Sequence, residues 1–597
     1  MALSAVHKVL KHGLIASSNP AAAQAMHAVA DAVTLCRFEA TDSDHDDVVL
    51  SKILHVLLEC MRCPTGALLS DDDVCNIVQA CYRIGHQSGK ESALLRNLSR
   101  HILREIVHAA FGRLPHLPAE AEGTTHPHID NAVAAPAEAT PNDGTSTENG
   151  EPSESISPSS PTKGAGREDV ESVSEMSLTG GGEPFGLACV LEIFRFSVSF
   201  VSLEPGADEQ SESVCAFGLQ LVLASLESAG YDFIRHPALL RLVKDDLSRA
   251  MLTVAPLGRA PVLAAVAATV LQLYMVMHSE LKMQLEAFLR MSLLPLAEFK
   301  PPVDPNGSVG TLLNPGGSDT RRVALECLVD LCRQPNFVPD LYVNFDCDVR
   351  RPNLFEELVG LLSRGATPAQ GSGLSDENLL SLEGLLAITA GVADRSASFE
   401  PSSQLDKTKS ADAQMSVEDF WGTMRNSNGG VVGSDETSAP GSNRASFLRR
   451  NRYLKRRLLA CAENFNLKPK KGLAYMQELG LLSDPLNPEE VAQFLKHAPG
   501  LDKSEAGEYL GDHKDFNVSV LGVYVNTFDF DGVTLDAALR SFLDGFRLPG
   551  EAQKISRFLE VFADRYFSAN PTAVADADAA YVLSYSIIML NTDQHNP

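Results

Sequence analysis

Segment after segment of this chain repeats an apolar spacing of three and four residues. SKILHVLLECM, DVCNIVQACYRI and SALLRNLSRHILREIVHAAFGRL each lay Leu, Ile, Val and Ala along one helical stripe. Alternating Val- and Thr-rich runs, the mark of a half-buried strand, are scarce. Apolar residues make up 44% of the 597 and aromatics 6%, so the expected fold is all-α with more than one core.

Breaks in the spacing divide the chain. Residues 1–114 read as consecutive amphipathic helices separated by CPTG and GHQSGK. Residues 115–183 are rich in Pro, Ser, Glu, Thr and Gly with almost no periodicity, the composition of a disordered linker. From His116 to Glu183 there are 13 Asp and Glu against only Lys163 and Arg167, which places −11 of the net −27 in one segment. Periodicity resumes at PFGLACVLEIFRFSVSFV and continues through LKMQLEAFLR, RRVALECLVDLCR and NLFEELVGLLSR, so 184–392 are expected to form an armadillo- or HEAT-like helical solenoid. A second polar linker covers 393–446, and a third helical block covers 447–597.

A net charge of −27 and a pI near 5.0 argue against nucleic acid as a partner, because phosphate binding needs a basic stripe. MALSAVHKVLKHG carries no secretory signal pattern. Cys60 and Cys63, followed by Cys75 and Cys81, have a superficial zinc spacing, but the first pair lies inside an apolar helical run without the turn a zinc knuckle needs. Core thiols and no metal are expected. APVLAAVAATVLQLYMVM, residues 260–277, carries no charge, yet it is Ala-rich, begins with a proline and contains Thr269 and Gln272, which fits a central helix of a stack.

The third block opens with Arg449, Arg450, Arg452, Lys455, Arg456 and Arg457, either a solvated helix face or a contact for anionic lipid. Further on, TLDAALRSFLDGF places Leu535, Leu539, Phe542, Leu543 and Phe546 on one stripe, and Ile555, Phe558, Leu559, Phe562 and Tyr566 form another. The two helices meet at the corner FRLPGEAQK, with Glu551 where the second begins. Spacing leaves two roles open for Glu551: a carboxylate set at a helix start by the dipole, or a group presented to a partner. DADAAYVLSYSIIMLNTDQHNP holds an apolar helix over Ala579–Leu590 that ends in a polar cluster. Asp593 and His595 there lack a third group for a metal or acid–base site.

The pairing of FRLPGEAQKI with YSIIMLNTDQHNP about thirty residues later resembles the signature of the Sec-seven catalytic domain, which exchanges GDP for GTP on Arf-family small GTPases. FNLKPKKGLAYMQELGLL and DFDGVTLDAALR extend the likeness over Arg449 to Pro597. ADAVTLCRFEATD and VCNIVQACYRI resemble the dimerisation and cyclophilin-binding region of large Arf exchange factors, and LYVNFDCDVRRPNLFEELVGLLSR their homology-upstream box, closest to the Golgi brefeldin-resistance/GNOM class.

The resemblance implies a glutamic finger at Glu551 and GTPase contacts at Arg547, Leu548, Gly550, Ile588, Met589, Asn591 and Asn596. It implies brefeldin A contacts at Tyr585, Ser586, Met589 and Asp593, and a homology-upstream box at Asn344, Phe345, Asp346, Cys347 and Asp348. On spacing alone that box reads equally as a polar helix start capped by Asp348. Also implied are exchange without covalent chemistry or cofactor, an Arf partner in its GDP-bound and nucleotide-free forms, and a homodimer formed through the N-terminal region. The expected location is the cytoplasm, with reversible attachment to Golgi membranes. A non-catalytic scaffold that binds GTPases or tethers is the alternative, though a scaffold has no need of an acid on that corner. Relatives often carry Asp where Ser556 stands. The family's catalytic domain continues beyond the equivalent of His595-Asn596-Pro597, and Ala2 to Ile15 look like an internal helix, so a fragment is expected.

Overall fold

The computed structural model describes residues 1–36, 43–87, 92–117, 184–298, 317–368, 373–397 and 442–595. Helices account for its regular structure, with no strand among the described residues. Most of both expected linkers, 118–183 and 398–441, lies outside them. Where the edges are described they differ from expectation: Leu114–His116 is a short helical turn, and the helix expected to end near 392 runs to Ala397. Two compact units emerge, Met1–Val254 with Ala268–Met277, and Ala255–Ala267 with His278–Pro597.

In the first unit the helices of eight residues or more are α1 (Ala2–Lys11), α2 (Ala22–Thr34), α3 (Ser43–Arg62), α4 (Asp71–Gln87), α5 (Ala93–Phe111), α6 (Leu187–Ser199) and α7 (Glu209–Ala229). Ser92 starts α5 by accepting the Leu95 amide at 3.2 Å, and Asp208 starts α7 by accepting that of Ser211 at 2.9 Å. Their inner faces meet around Ile102, Ile106, Phe111, Phe194 and Phe233, with the Phe111 and Phe233 rings stacked 6.1 Å apart. Cys60, Cys63, Cys75 and Cys81 are buried in this core, where burial pushes the Cys60 thiol up to about 12. His27 stands between carboxylates, Nδ1 at 2.6 Å from Asp73 and Nε2 at 3.5 Å from Asp31. Asp73 also accepts the Ser70 amide at 3.0 Å, as a helix-start cap does.

α8 (Ala260–Met277) is the uncharged helix, divided between the units at Ala267. It and Glu209–Arg235 are long and apolar enough to cross a membrane, but 56% of each apolar window is buried within the protein. Thr269 is fully buried on α8.

The second unit continues with α9 (Gly317–Cys332), α10 (Leu354–Gly365), α11 (Asp376–Ala397), α12 (Ser442–Leu467), α13 (Pro469–Glu478), α14 (Pro488–His497), α15 (Lys503–Leu510), α16 (Asp515–Asn526), α17 (Leu535–Leu543), α18 (Ala552–Ala569) and α19 (Ala577–His595). α11 packs on α9 and α10, and α12 folds back on α13. One core runs through the last block, built on Leu458, Phe465, Phe494, Tyr524, Phe542 and Phe562.

Candidate functional site

The corner between α17 and α18 is shaped by aromatic packing. The stripe expected on α17 turns inward at Leu539, Phe542 and Phe546, and that on α18 at Phe558, Leu559, Phe562 and Tyr566. Phe546 stacks on Phe558 at 4.6 Å and Phe542 on Phe562 at 5.5 Å, so rings on both sides of the corner interlock. Pro549 is buried at the bend while Arg547, Gly550 and Glu551 face solvent and Leu548 packs partly against the core.

Glu551 occupies the N-cap position of α18 in an extended backbone conformation, φ −85 and ψ 122. Its carbonyl accepts the Lys554 and Ile555 amides, both at 3.0 Å, but its side chain makes no cap bond. The helix start is thus satisfied by main chain, and the carboxylate is left 69% exposed. One carboxylate oxygen sits 3.1 Å from the Lys554 ammonium, which also bonds Glu508 on α15. The two carboxylates, Glu508 first, raise the Lys554 pKa. Lys554 is a residue the sequence reading missed; its i, i+3 spacing from Glu551 was a usable signal, whereas Glu508 is 46 residues away from it.

The second expected motif lies on α19. The helix does not end at Leu590 but runs on to His595, because no glycine or proline interrupts it before Pro597 and Thr592 bonds back to the Ile588 carbonyl at 2.9 Å. Ala580 and Ser584 are buried, with Tyr581 and Ile588 partly packed on the core. Tyr585, Ser586, Met589, Asn591 and Asp593 are exposed, beside exposed Val582, Leu583, Ile587 and Leu590. Up to Leu590, α19 thus exposes mostly apolar side chains and, among the described residues, is covered on one side only. Asn596 and the His595 side chain lie outside the described residues. Ser556 bonds the Tyr581 hydroxyl at 2.8 Å and so ties α18 to α19.

The homology-upstream segment forms a wide helical turn over Tyr342–Asp346 rather than a helix start. Asp346, not Asp348, caps the next helix: its carboxylate is fully buried and accepts the α10 amides of Phe355 at 2.9 Å and Glu356 at 3.3 Å. Asp348 instead accepts the Arg350 amide at 2.9 Å. Phe345 and Cys347 are buried and Asn344 is half-buried.

Two members of the basic run turn into this segment instead of facing solvent. Arg452 lies 3.7 Å from Asp346 and 2.8 Å from Glu356. Lys455 is 1% exposed and donates to the Phe345 carbonyl at 2.7 Å and the Pro352 carbonyl at 3.3 Å. Burial lowers the Lys455 pKa to about 8 and raises that of Asp346. Arg449, Arg450 and Arg456 keep the exposed face. Residues 449–457 alternate faces because positions 452 and 455 stand three apart on the inner stripe of α12.

Residues 454–597 match the family model described as Sec7 domain, and residues 186–354 the Mon2/Sec7/BIG1-like HUS domain. The ARF guanine-nucleotide exchange factor GNOM of Arabidopsis thaliana is 37% identical over 630 residues, covering 100% of this chain and 41% of that protein. The Golgi-specific brefeldin A-resistance guanine nucleotide exchange factor 1 homolog of Caenorhabditis elegans is 30% identical over 705 residues, covering 100% of this chain and 35% of its own length. Among solved structures, the Sec7p catalytic domain is 47% identical, covers 23% of this chain and 75% of its own, and has a TM-score of 0.22. This chain, spanning about two-fifths of the length of such relatives, carries the Sec7 domain and the HUS domain of the Sec7-domain family and is similar to GNOM over its whole length.

Proposed function

We propose that this chain promotes GDP release from Arf-type small GTPases and that Glu551 is the group that drives it. The observation that carries this reading is the Glu551 carboxylate, held on a rigid aromatic-backed corner and left 69% exposed with no capping duty. The names of its relatives, ARF guanine-nucleotide exchange factors, support the partner. Brought beside the bound nucleotide, the carboxylate displaces the GTPase's Mg²⁺ and faces the β-phosphate with like charge. At ~4 Å and an effective dielectric near 20, that repulsion is about 4 kcal/mol, enough for roughly a thousandfold faster release. The same carboxylate takes over the GTPase's phosphate-binding lysine, so the empty state holds no unpaired cation. No covalent bond changes.

Arg547, Leu548 and Gly550 flank the acid at the corner, while Ile588 and Met589, with the polar Asn591 beside them, supply the wall of α19 that receives the GTPase, and Asn596 stands just beyond it. Tyr585, Ser586, Met589 and Asp593 form the face on which brefeldin A would wedge. Asn344 to Asp348, through Asp346, hold the start of the catalytic block. Work on Golgi membranes, peripheral and reversible attachment, and dimerisation through the N-terminal region complete the reading. The test is GDP release from an Arf protein with the parent chain or Glu551→Lys. Acceleration by the parent that vanishes in the variant supports the proposal; equal acceleration by both refutes it.

A further inference from the structure

We infer that α15 is the platform that sets where Glu551 stands, with Gly507 as the positioning residue; this rests on the reading of Glu551 given above. Both sides of the corner are tied to this one short helix. Before the bend, the Arg547 amide donates to the Lys503 carbonyl at 2.8 Å. After it, Lys554 bonds Glu508 and Arg557 bonds the Gly511 carbonyl. Glu551 lies between these ties, and its own carboxylate reaches only Lys554 among the ion pairs described.

At Gly507 the two backbones leave no room for a side chain. A Cβ built there would stand 1.9 Å from the Arg547 carbonyl oxygen and 3.0 Å from its carbon. Carbon and oxygen do not approach that closely, and the obstacle is main chain with no rotamer to change. An alanine therefore pushes the corner off α15 by over an ångström, breaks the Arg547–Lys503 bond, and carries Glu551 with it. The Phe546–Phe558 stack, next to Arg547 in the chain, spans the corner through side chains alone. Misplacement of a reacting group by about 1 Å costs up to about a hundredfold in rate.

Glu508 acts from the same helix in a different way. It shares the Lys554 ammonium with Glu551, so the ammonium is never wholly committed to the acid that must leave it. Without Glu508, Lys554 pairs with Glu551 alone and holds it back, an effect that salt screens.

The experiment has two readouts on the chain as it is. Amide hydrogen exchange of Gly507→Ala is expected to show the Arg547 amide losing at least tenfold protection, with the α13 amides unchanged; parent-like protection at Arg547 overturns the proposal by itself. GDP release from an Arf protein is then measured for parent, Gly507→Ala, Glu551→Ala and the double variant. Gly507→Ala should slow the saturating rate at least tenfold and cost under twofold more when Glu551 is already alanine. A full additional loss in the double variant overturns it, because Gly507 would then act apart from Glu551. If Glu551→Ala matches the parent, the reading of Glu551 fails instead, and the Arg547 protection still decides the role of Gly507 in placing the corner. Glu508→Ala, which leaves the backbone contact intact, should slow release two- to fivefold at low salt and not at high salt; a salt-independent loss or none overturns its part.

Discussion

Replacing Asp346 with alanine tests whether the segment over residues 342–348 and α12 are held by a buried charge cluster. The carboxylate is fully buried, caps α10 through two amides at 2.9 and 3.3 Å, and stands 3.7 Å from Arg452 with Lys455 beside it. Loss of the cap alone costs about 1 kcal/mol. Removing one partner from a buried ionic cluster costs about 3–5 kcal/mol, the cap included, because the remaining cation is left without a counter-charge. Glu356 still meets Arg452 at 2.8 Å, so the lower end applies. A loss of about 3 kcal/mol corresponds to roughly a hundredfold more frequent local opening. Two compact units make a single melting temperature a poor readout, so the assay is amide hydrogen exchange at Phe355, Glu356, Leu454 and Leu458. Parent-like protection at those amides refutes the argument. A second variant sharpens it: Lys455→Met added to Asp346→Ala removes the stranded ammonium, so the double variant should be at least as protected as Asp346→Ala. If the two losses add in full, the groups do not act as one cluster.

Three further outcomes are expected. Burial, with Lys496 and Arg350 beside it, lowers the His497 pKa to about 4, below the ordinary 6.5. Between pH 6.5 and 4 the unfolded chain takes up this proton before the folded one, so His497 contributes stability above pH 6.5 that is lost as pH falls through that window, about 2 kcal/mol after allowing for partial exposure. The pH dependence of α14 opening, read by amide hydrogen exchange between pH 6.5 and 4.5 and corrected for intrinsic rates, should flatten by about that amount in His497→Gln; an unchanged slope counts against it. Phe546→Ala, which removes the ring stacked at 4.6 Å on Phe558, should cost about 3–5 kcal/mol by amide hydrogen exchange in α17 and α18, and a loss under about 1 kcal/mol would show the corner is not held by that stack. Met589→Lys, on the exposed face of α19, should weaken capture of nucleotide-free Arf at least tenfold while core protection is unchanged; undiminished capture would place the GTPase elsewhere.

Much of this molecule was decided locally and so could be read from the chain. Helix after helix follows from apolar spacing because a period near 3.6 has only one way to bury its stripe, and Phe542, Phe546, Phe558 and Phe562 face inward as their spacing requires. The corner at Pro549 and Gly550, and the placing of Glu551 at the next helix start, are equally local. Other features depend on residues far apart in the sequence. The basic run reads as a solvated face or a lipid contact, yet Arg452 is drawn inward by Asp346, 106 residues away, and Lys455 by the Phe345 carbonyl, 110 residues away. Spacing leaves Asp348 as one candidate cap, and the buried Asp346 is the one that reaches α10, because the wide turn at Tyr342–Asp346 rotates the segment. The closeness of Gly507 to Arg547 leaves no trace in either local sequence. Periodicity dictates which side of each helix is apolar; only packing decides which distant backbone or charge that side, or a glycine on it, will meet.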